Sequence, residues 1–374
     1  MDKLHMKEVR LSEIAMPLKS AFETSFGVTT ARRVIVVRLS DGNGSFGYGE
    51  CTAMDGPFYN HETVDSAWGV ISRFIVPILR RSGVKSAGGV EETLGSIQGN
   101  RMAIAAIETA AWDLEAVRSE RPLWQLLGGK QTEIDCGVSI GIQESPERLV
   151  EKVGKEIASG YQRIKIKIKP GADLDLVSAV RREFPDIRLS VDANAAYRLE
   201  KDIDLMKELD EYDLLMIEQP LAGGALLDHS KLQAKISTPI CLDESITSLA
   251  DAKQAVDMDA CRIINIKLGR VGGHTAARAI QDYAVGKGIP VWCGGMLETG
   301  IGRAHNIAMS TLEGFTLPGD VSASARYWDK DITEPVVEVS PAGTICVPNN
   351  KGIGYGVNEE CVTGLTVRSE TFEL

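Results

Sequence analysis

YQRIKIKIKP, residues 161–170, alternates isoleucine with basic residues and closes on a proline. Side-chain direction along a strand repeats every two residues, so Ile164 and Ile166 share one face while Lys165 and Lys167 share the other. Lys169 keeps the parity but precedes Pro170-Gly171, which places it at a turn. Similar short, β-rich segments recur on both sides: IDCGVSI (134–140), IRLSVDAN (187–194), YDLLMIEQP (212–220), TPICLDES (238–245), CRIINIKLG (261–269) and IPVWCGGM (289–296). Helical stretches lie between them, among them RLVEKVGKEIASG, LEKDIDLMKELDE, SLADAKQAVDM and GGHTAARAIQDYAVGKG. Parallel strands need crossovers of this kind, with helices covering the sheet.

The charged residues at the strand ends choose between a closed barrel and an open sheet. Lys167, Asp192, Glu218, Asp243 and Lys267 stand 25, 26, 25 and 24 residues apart, about one strand–helix unit each. In a barrel all C-terminal strand ends face one mouth, whereas an open sheet would spread the first and last along its edge. The spacing therefore predicts a barrel. Solvated loop charges with accidental spacing are the plain alternative, and a structural ion-pair cluster is another. Flanking Ile164, Ile166, Ile217, Leu242, Ile264 and Ile266 argue against the first, because charges set in buried-strand sequence are costly unless paired or metal-bound.

Outside this region the chain reads differently. Residues 1–130 have strand-like runs in KEVRLSEIAMPL and RRVIVVRLSDGNGSFGYGE, the second broken by the turn signal Asp41-Gly42-Asn43-Gly44. Helical patterns follow at 61–80 and 100–118, where Ile104, Ile107, Ala111 and Leu114 recur at helical spacing and Ala-rich flanks permit close packing. This is an α+β arrangement. After the barrel units, FTLPGDVS (315–322) is expected to supply the last barrel strand, and ITEPVVEV and CVTGLTV to form strands returning to the N-terminal region.

The 374 residues are 44% hydrophobic and 25% charged, enough to bury a large core and unlike a disordered chain. With 41 basic against 52 acidic residues the net charge is −11, which disfavours nucleic acid as a partner. Seven scattered cysteines without a CxxC are expected to be reduced thiols in a cytoplasmic protein. The first residues lack a signal-peptide core, and no stretch is long and apolar enough for a membrane helix.

Three carboxylates from adjacent strand ends repel one another unless a cation compensates them. Asp192, Glu218 and Asp243 form an all-oxygen set that suits Mg²⁺, with Mn²⁺ as a substitute, rather than zinc. Lysines flank the set, Lys167 on one side and Lys267 across the mouth. Such a site can bind a small-molecule carboxylate, remove its α-proton with a neutral lysine and stabilise the resulting anion. The opposite lysine can return a proton, giving racemisation, or remain cationic. A β-hydroxyl beside the first lysine would allow dehydration. Phosphoryl transfer lacks GxxxxGK[ST], and a Schiff-base lysine has no need of the triad.

RIKIKIKPG, VDAN, IEQP, LDES, NIKLGRVGG, GGMLETGIGRAHN (294–306) and LPGDVSASARYW (317–328) together resemble the enolase superfamily. The likeness extends to FETSFG (22–27) and RPLWQLLGG (121–129), and is strongest to the branch of o-succinylbenzoate synthases and N-succinylamino acid racemases. The resemblance implies an α/β fold, a modified (β/α)7β TIM barrel (131–325), beneath an N-terminal α+β capping domain (1–130), with residues 326–374 packing back on the cap. It carries the base onto Lys167, the opposite-face lysine onto Lys267, the Mg²⁺ ligands onto Asp192, Glu218 and Asp243, and a substrate-binding lysine onto Lys165. Ser139, Asn194, Met296 and Glu298 are implied pocket residues. Arg270 is a tuning residue or a plain salt bridge. Phe22, Phe26, Met54 and Phe58 are capping-loop candidates or interface packing. The implied chemistry is dehydration of 2-succinyl-6-hydroxy-2,4-cyclohexadiene-1-carboxylate in menaquinone synthesis, with N-succinylamino acid racemisation as the alternative, in a homo-oligomeric enzyme.

Overall fold

A computed structural model describes residues 4–374. Strands Glu8–Thr24, Gly27–Ser40 and Phe46–Cys51 form an antiparallel meander. Its second turn is built as the sequence predicts: Asp41 Oδ1 accepts from the Asn43 and Ser45 backbone N–H at 2.8 and 3.0 Å, and Gly42 and Gly44 take positive φ. Helix Arg101–Arg118 lies on this sheet at very short range. A Cβ at Gly47 would come 2.3 Å from the Ala110 carbonyl oxygen, and one at Gly49 would come 2.2 Å from that of Ala106. Glycine on the strand and alanine on the helix together permit the approach, which confirms the close packing expected of the Ala-rich stretch.

The second sheet has seven parallel strands in the spatial order Gly137–Ile140, Arg163–Lys167, Leu189–Asp192, Ile217–Glu218, Ile240–Leu242, Ile263–Ile266 and Val291–Cys293. Isolated parallel bridges Val291↔Phe315 and Cys136↔Gly319 join the two outer strands through residues 315–319, so the ring closes. The expected eighth strand, FTLPGDVS, is thus not a regular strand but a bridging segment. Pro318 has no N–H to offer a ladder, while its carbonyl accepts from Arg163 Nε at 2.9 Å.

The final residues correct two further expectations. In ITEPVVEV only Thr333–Glu334 is a strand, paired antiparallel with Gly356–Val357, and Pro335 interrupts it. CVTGLTV begins inside helix Glu359–Leu365, not a strand: Asn358 caps it by accepting from the Cys361 N–H at 2.8 Å, and Glu359 and Glu360 sit favourably in its first turn. Strand Thr366–Glu373 then pairs antiparallel with Glu8–Thr24, completing a four-stranded sheet.

Two buried glutamates of the N-terminal region hold barrel helices by their amide ends. Glu50 accepts from Thr299 Oγ1 at 2.6 Å and the Gly302 N–H at 2.9 Å, at the start of helix Gly300–Ser310. Glu108 accepts from the His274 and Thr275 N–H groups, each at 2.8 Å, at the start of helix His274–Gly286. Carboxylates at helix N-termini satisfy orphan donors and complement the helix dipole. Burial nonetheless pushes each carboxyl up, to about 7. All seven cysteines are free, and no helix among the described residues is long and apolar enough to cross a membrane.

Candidate active site

The strand register sets Lys167, Asp192 and Glu218 level with one another and steps Asp243 and then Lys267 further along the strand direction. Lys167 pairs with Asp192 and Asp192 with Glu218, while Asp243 and Lys267 lie just beyond the ends of Ile240–Leu242 and Ile263–Ile266. In the closed ring, strands Arg163–Lys167 and Ile263–Ile266 have three segments between them on either side, so Lys167 and Lys267 approach from opposite walls. Both line one cavity of about 60 Å³, together with Phe22, Phe26, Met54, Tyr59, Asn194 and Met296. A larger neighbouring cavity of about 300 Å³ shares Phe26, Thr29, Met54 and Tyr59 with it and extends to Phe58.

Each carboxylate is tied to a cation. Lys167 Nζ donates to Asp192 Oδ2 at 2.6 Å, Lys165 Nζ to Glu218 Oε2 at 2.7 Å, and Lys267 Nζ to Asp243 Oδ2 at 2.8 Å. Arg270 pairs with Asp243 and donates from Nε to the Ile246 carbonyl at 2.6 Å. Among the described residues no three histidine, cysteine, aspartate or glutamate side chains converge closely enough to hold an ion as they stand. The donor set nevertheless fits a hard cation. Burial and the neighbouring Asp192 charge push the Glu218 carboxyl up to about 7, with Asp243 adding to the effect. A positive ion held by Asp192, Glu218 and Asp243 would relieve that crowding.

The other two carboxylates go the opposite way. Burial raises both, yet Lys167 and Lys165 hold Asp192 below the ordinary range, and Lys267 and Arg270 do the same for Asp243. Burial would lower the Lys267 pKa, but Asp243 raises it well above the ordinary value, and Arg270 works against that rise. Arg270 therefore acts on Lys267 as a neighbouring like charge while sharing its carboxylate partner, Asp243. This is the geometry of a tuning residue and also of a buried salt bridge.

Several expected pocket residues sit elsewhere. Lys165 is enclosed by Glu218, Asp192 and Asp320, at 2.7, 3.3 and 2.8 Å, and its ammonium lies 4.6 Å from the Trp292 ring centroid. It does not line the cavity. Ser139 pairs in register with Lys165, one tier below Lys167, and its buried Oγ has no partner. Glu298 lines neither cavity and accepts from Asn306 Nδ2 at 2.9 Å. Phe58 is 72% exposed at the outer cavity, while Phe22, Phe26, Met54, Asn194 and Met296 line the inner one.

The sequence reading missed four residues that the fold brings in. Tyr59 donates to Asp243 Oδ1 at 2.9 Å, and its ring lies 4.7 Å from the Lys267 ammonium. Asn265 donates to Glu218 Oε1 at 2.7 Å, and its parity with Lys267 could have revealed it. Asp320 bonds Arg163 at 2.6 Å and Lys165 at 2.8 Å, and stands 53 residues past Lys267, two further steps of the strand spacing. Glu244 accepts from Asn194 Nδ2 at 2.9 Å. Nothing in the local sequence around Tyr59 marks it out, because its place depends on how the cap meets the barrel.

Comparisons with known proteins agree with this architecture. Residues 6–128 match the family model described as the mandelate racemase/muconate lactonizing enzyme N-terminal domain, and residues 148–361 match the enolase C-terminal domain-like model. The chain is 48% identical to an o-succinylbenzoate synthase of Geobacillus kaustophilus over 369 residues, covering 99% of this chain and 98% of that one. It is 45% identical to an N-succinylamino acid racemase of Thermus thermophilus over 365 residues, covering 98% of each. A crystal structure of an enolase superfamily member from Listeria innocua superposes with a TM-score of 0.95 at 41% identity, covering 99% of both chains.

Proposed function

The chain belongs to the mandelate racemase/muconate lactonizing enzyme family of the enolase superfamily, and from that footing we propose that it is a Mg²⁺-dependent o-succinylbenzoate synthase. The observation that carries this reading is that Lys167 and Lys267 reach one cavity from opposite walls above three crowded carboxylates.

The substrate would be 2-succinyl-6-hydroxy-2,4-cyclohexadiene-1-carboxylate. Its ring carboxylate would lie over Asp192, Glu218 and Asp243, and the outer cavity beyond Phe26 and Met54 would take its succinyl arm. Mg²⁺ held by the three carboxylates would neutralise charge that builds on the substrate carboxylate as its α-proton leaves. Lys167, as the neutral amine, takes that proton. The electron pair left behind forms the new ring double bond as the neighbouring C–O bond breaks. The Lys167 ammonium returns the same proton to the departing hydroxyl, releasing water and the aromatic product. Lys267 stays cationic and stabilises the intermediate anion. Phe22, Phe26, Met54 and Met296 give both amines an apolar surround on the cavity wall.

A second reading, racemisation of N-succinylamino acids, is supported by the same opposed lysines and by the similarity to the Thermus thermophilus racemase. Lys167 would then remove the α-proton from one face and Lys267 deliver one to the other. A paired assay with the cyclohexadiene carboxylate and several N-succinylamino acids under Mg²⁺ decides. Dominant dehydration supports the synthase, and dominant turnover of the amino acids with negligible dehydration overturns it.

A further inference from the structure

Asn194 stands between Lys167 and a carboxylate that the reaction above does not use. Its Oδ1 accepts from Lys167 Nζ at 2.7 Å, and its Nδ2 donates to Glu244 Oε1 at 2.9 Å. The two partners fix the amide's orientation, since a flip would set N–H groups against an ammonium and oxygen against a carboxylate. The backbone is held as well. Its N–H donates to Asp192 Oδ1 at 2.9 Å, and its carbonyl accepts from Ser25 Oγ of the cap at 3.2 Å. At φ 43° the residue lies in the left-handed region, which asparagine tolerates better than most residues. Among the described residues the second oxygen of Glu244 is buried without a partner, so its bond to Asn194 is the one side-chain anchor this carboxylate makes there.

We propose that Asn194, clamped by Glu244, is a positioning residue that aims the Lys167 amine into the cavity. The inference rests on the assignment of Lys167 as the base. Lys167 has two acceptors, Asp192 and Asn194. If Asp192 turns to hold a cation, the amide oxygen is the acceptor that remains. A neutral carbonyl binds an N–H of the amine as well as of the ammonium. With one N–H committed to Oδ1, the lone pair is free to face the substrate. Among the described residues Lys267 has no amide counterpart, its acceptors being Asp243 and the Tyr59 hydroxyl. The device therefore serves one face only.

The test uses the full-length Mg²⁺ enzyme in D₂O with each enantiomer of an N-succinylamino acid, following α-proton exchange. Lys167→Ala and Lys267→Ala identify which enantiomer reports each lysine. In Asn194→Ala, exchange at the Lys167 face should fall about 10²-fold, as expected for a misaimed reacting group, with KM unchanged. Exchange at the Lys267 face should persist in the same protein, which shows that the variant is folded. Glu244→Ala should give a smaller loss confined to the same face, and Glu244→Gln, which keeps the acceptor, should restore it. With the cyclohexadiene carboxylate, kcat of Asn194→Ala should fall while KM holds. Equal losses at both faces, or a raised KM with kcat retained, overturns the proposal while leaving the functional reading intact. A parent enzyme inert toward both substrate classes overturns the functional reading and this inference with it.

Discussion

Gly294 lies against the side chain of Lys267 so closely that a Cβ at position 294 would sit 2.6 Å from Lys267 Cε and 2.2 Å from Asn265 Oδ1. The last barrel strand thus leaves a slot through which the lysine reaches the cavity. Gly294→Ala should displace Lys267 and slow proton exchange at its face by about 10²-fold, in line with the cost of misplacing a reacting group by an ångström. Circular dichroism should show the barrel retained. Normal exchange at that face would mean that the lysine does not work from this position.

The two lysines should separate under substitution. Lys167→Ala should abolish dehydration and racemisation alike, since dehydration begins with proton removal by Lys167 and racemisation needs both lysines. Lys267→Ala should abolish racemisation and slow dehydration less, because there Lys267 supplies charge and not a proton. General acid–base groups contribute about 10²–10⁴-fold, so either loss is measurable by a steady-state assay.

Metal dependence should be visible in stability as well as turnover. A Mg²⁺ ion held by the three carboxylates would bind only the folded site, so adding it should raise the melting temperature by mass action, and chelation should reverse the rise and abolish activity. Asp243→Asn should weaken the shift. If calorimetry shows no Mg²⁺-dependent shift in the parent protein, the carboxylate triad is not a metal site.

Asp320 neutralises two buried cations at once, Arg163 at 2.6 Å and Lys165 at 2.8 Å. Removing one partner of a buried pair typically costs about 3–5 kcal/mol, because the remaining charge is stranded. Asp320→Asn should lower the melting temperature strongly in scanning calorimetry. A neutral outcome would mean that water or Glu218 and Asp192 satisfy the two cations without it.

Burial pushes the Glu108 carboxyl from its ordinary 4.5 to about 7 despite its helix-end hydrogen bonds. A raised folded-state value means that the folded protein holds the proton more tightly. The resulting stability is fully present below about 4.5 and lost as pH rises through about 7. The stability of the parent relative to Glu108→Gln should therefore decline from about pH 5 to about pH 8 in chemical denaturation. A flat or rising difference would contradict the assignment.

Much of the barrel was legible because its signal is local. Alternation in RIKIK, the regular spacing of Lys167, Asp192, Glu218, Asp243 and Lys267, and the helical runs between them each follow from backbone periodicity. The segments read wrongly are those where one residue overrides β propensity: Pro318 in FTLPGDVS, Pro335 in ITEPVVEV and the Asn358 cap ahead of CVTGLTV. The residues missed at the site, Tyr59 above all, owe their positions to tertiary packing between distant segments. Lys165 shows a further limit. Parity placed it on the correct face, but only the fold reveals the three carboxylates that enclose it.

The sheet over the barrel has its edge strand, Thr366–Glu373, C-terminal to every barrel unit, yet hydrogen-bonded beside Glu8–Thr24, which precedes them all. During synthesis every barrel unit is made before that edge can be laid down. The mouth is thus assembled under an incomplete roof, and a chain stopped before Thr366 would carry the site's lysines and carboxylates yet leave strand Glu8–Thr24 unpaired along one side, open to association with another copy.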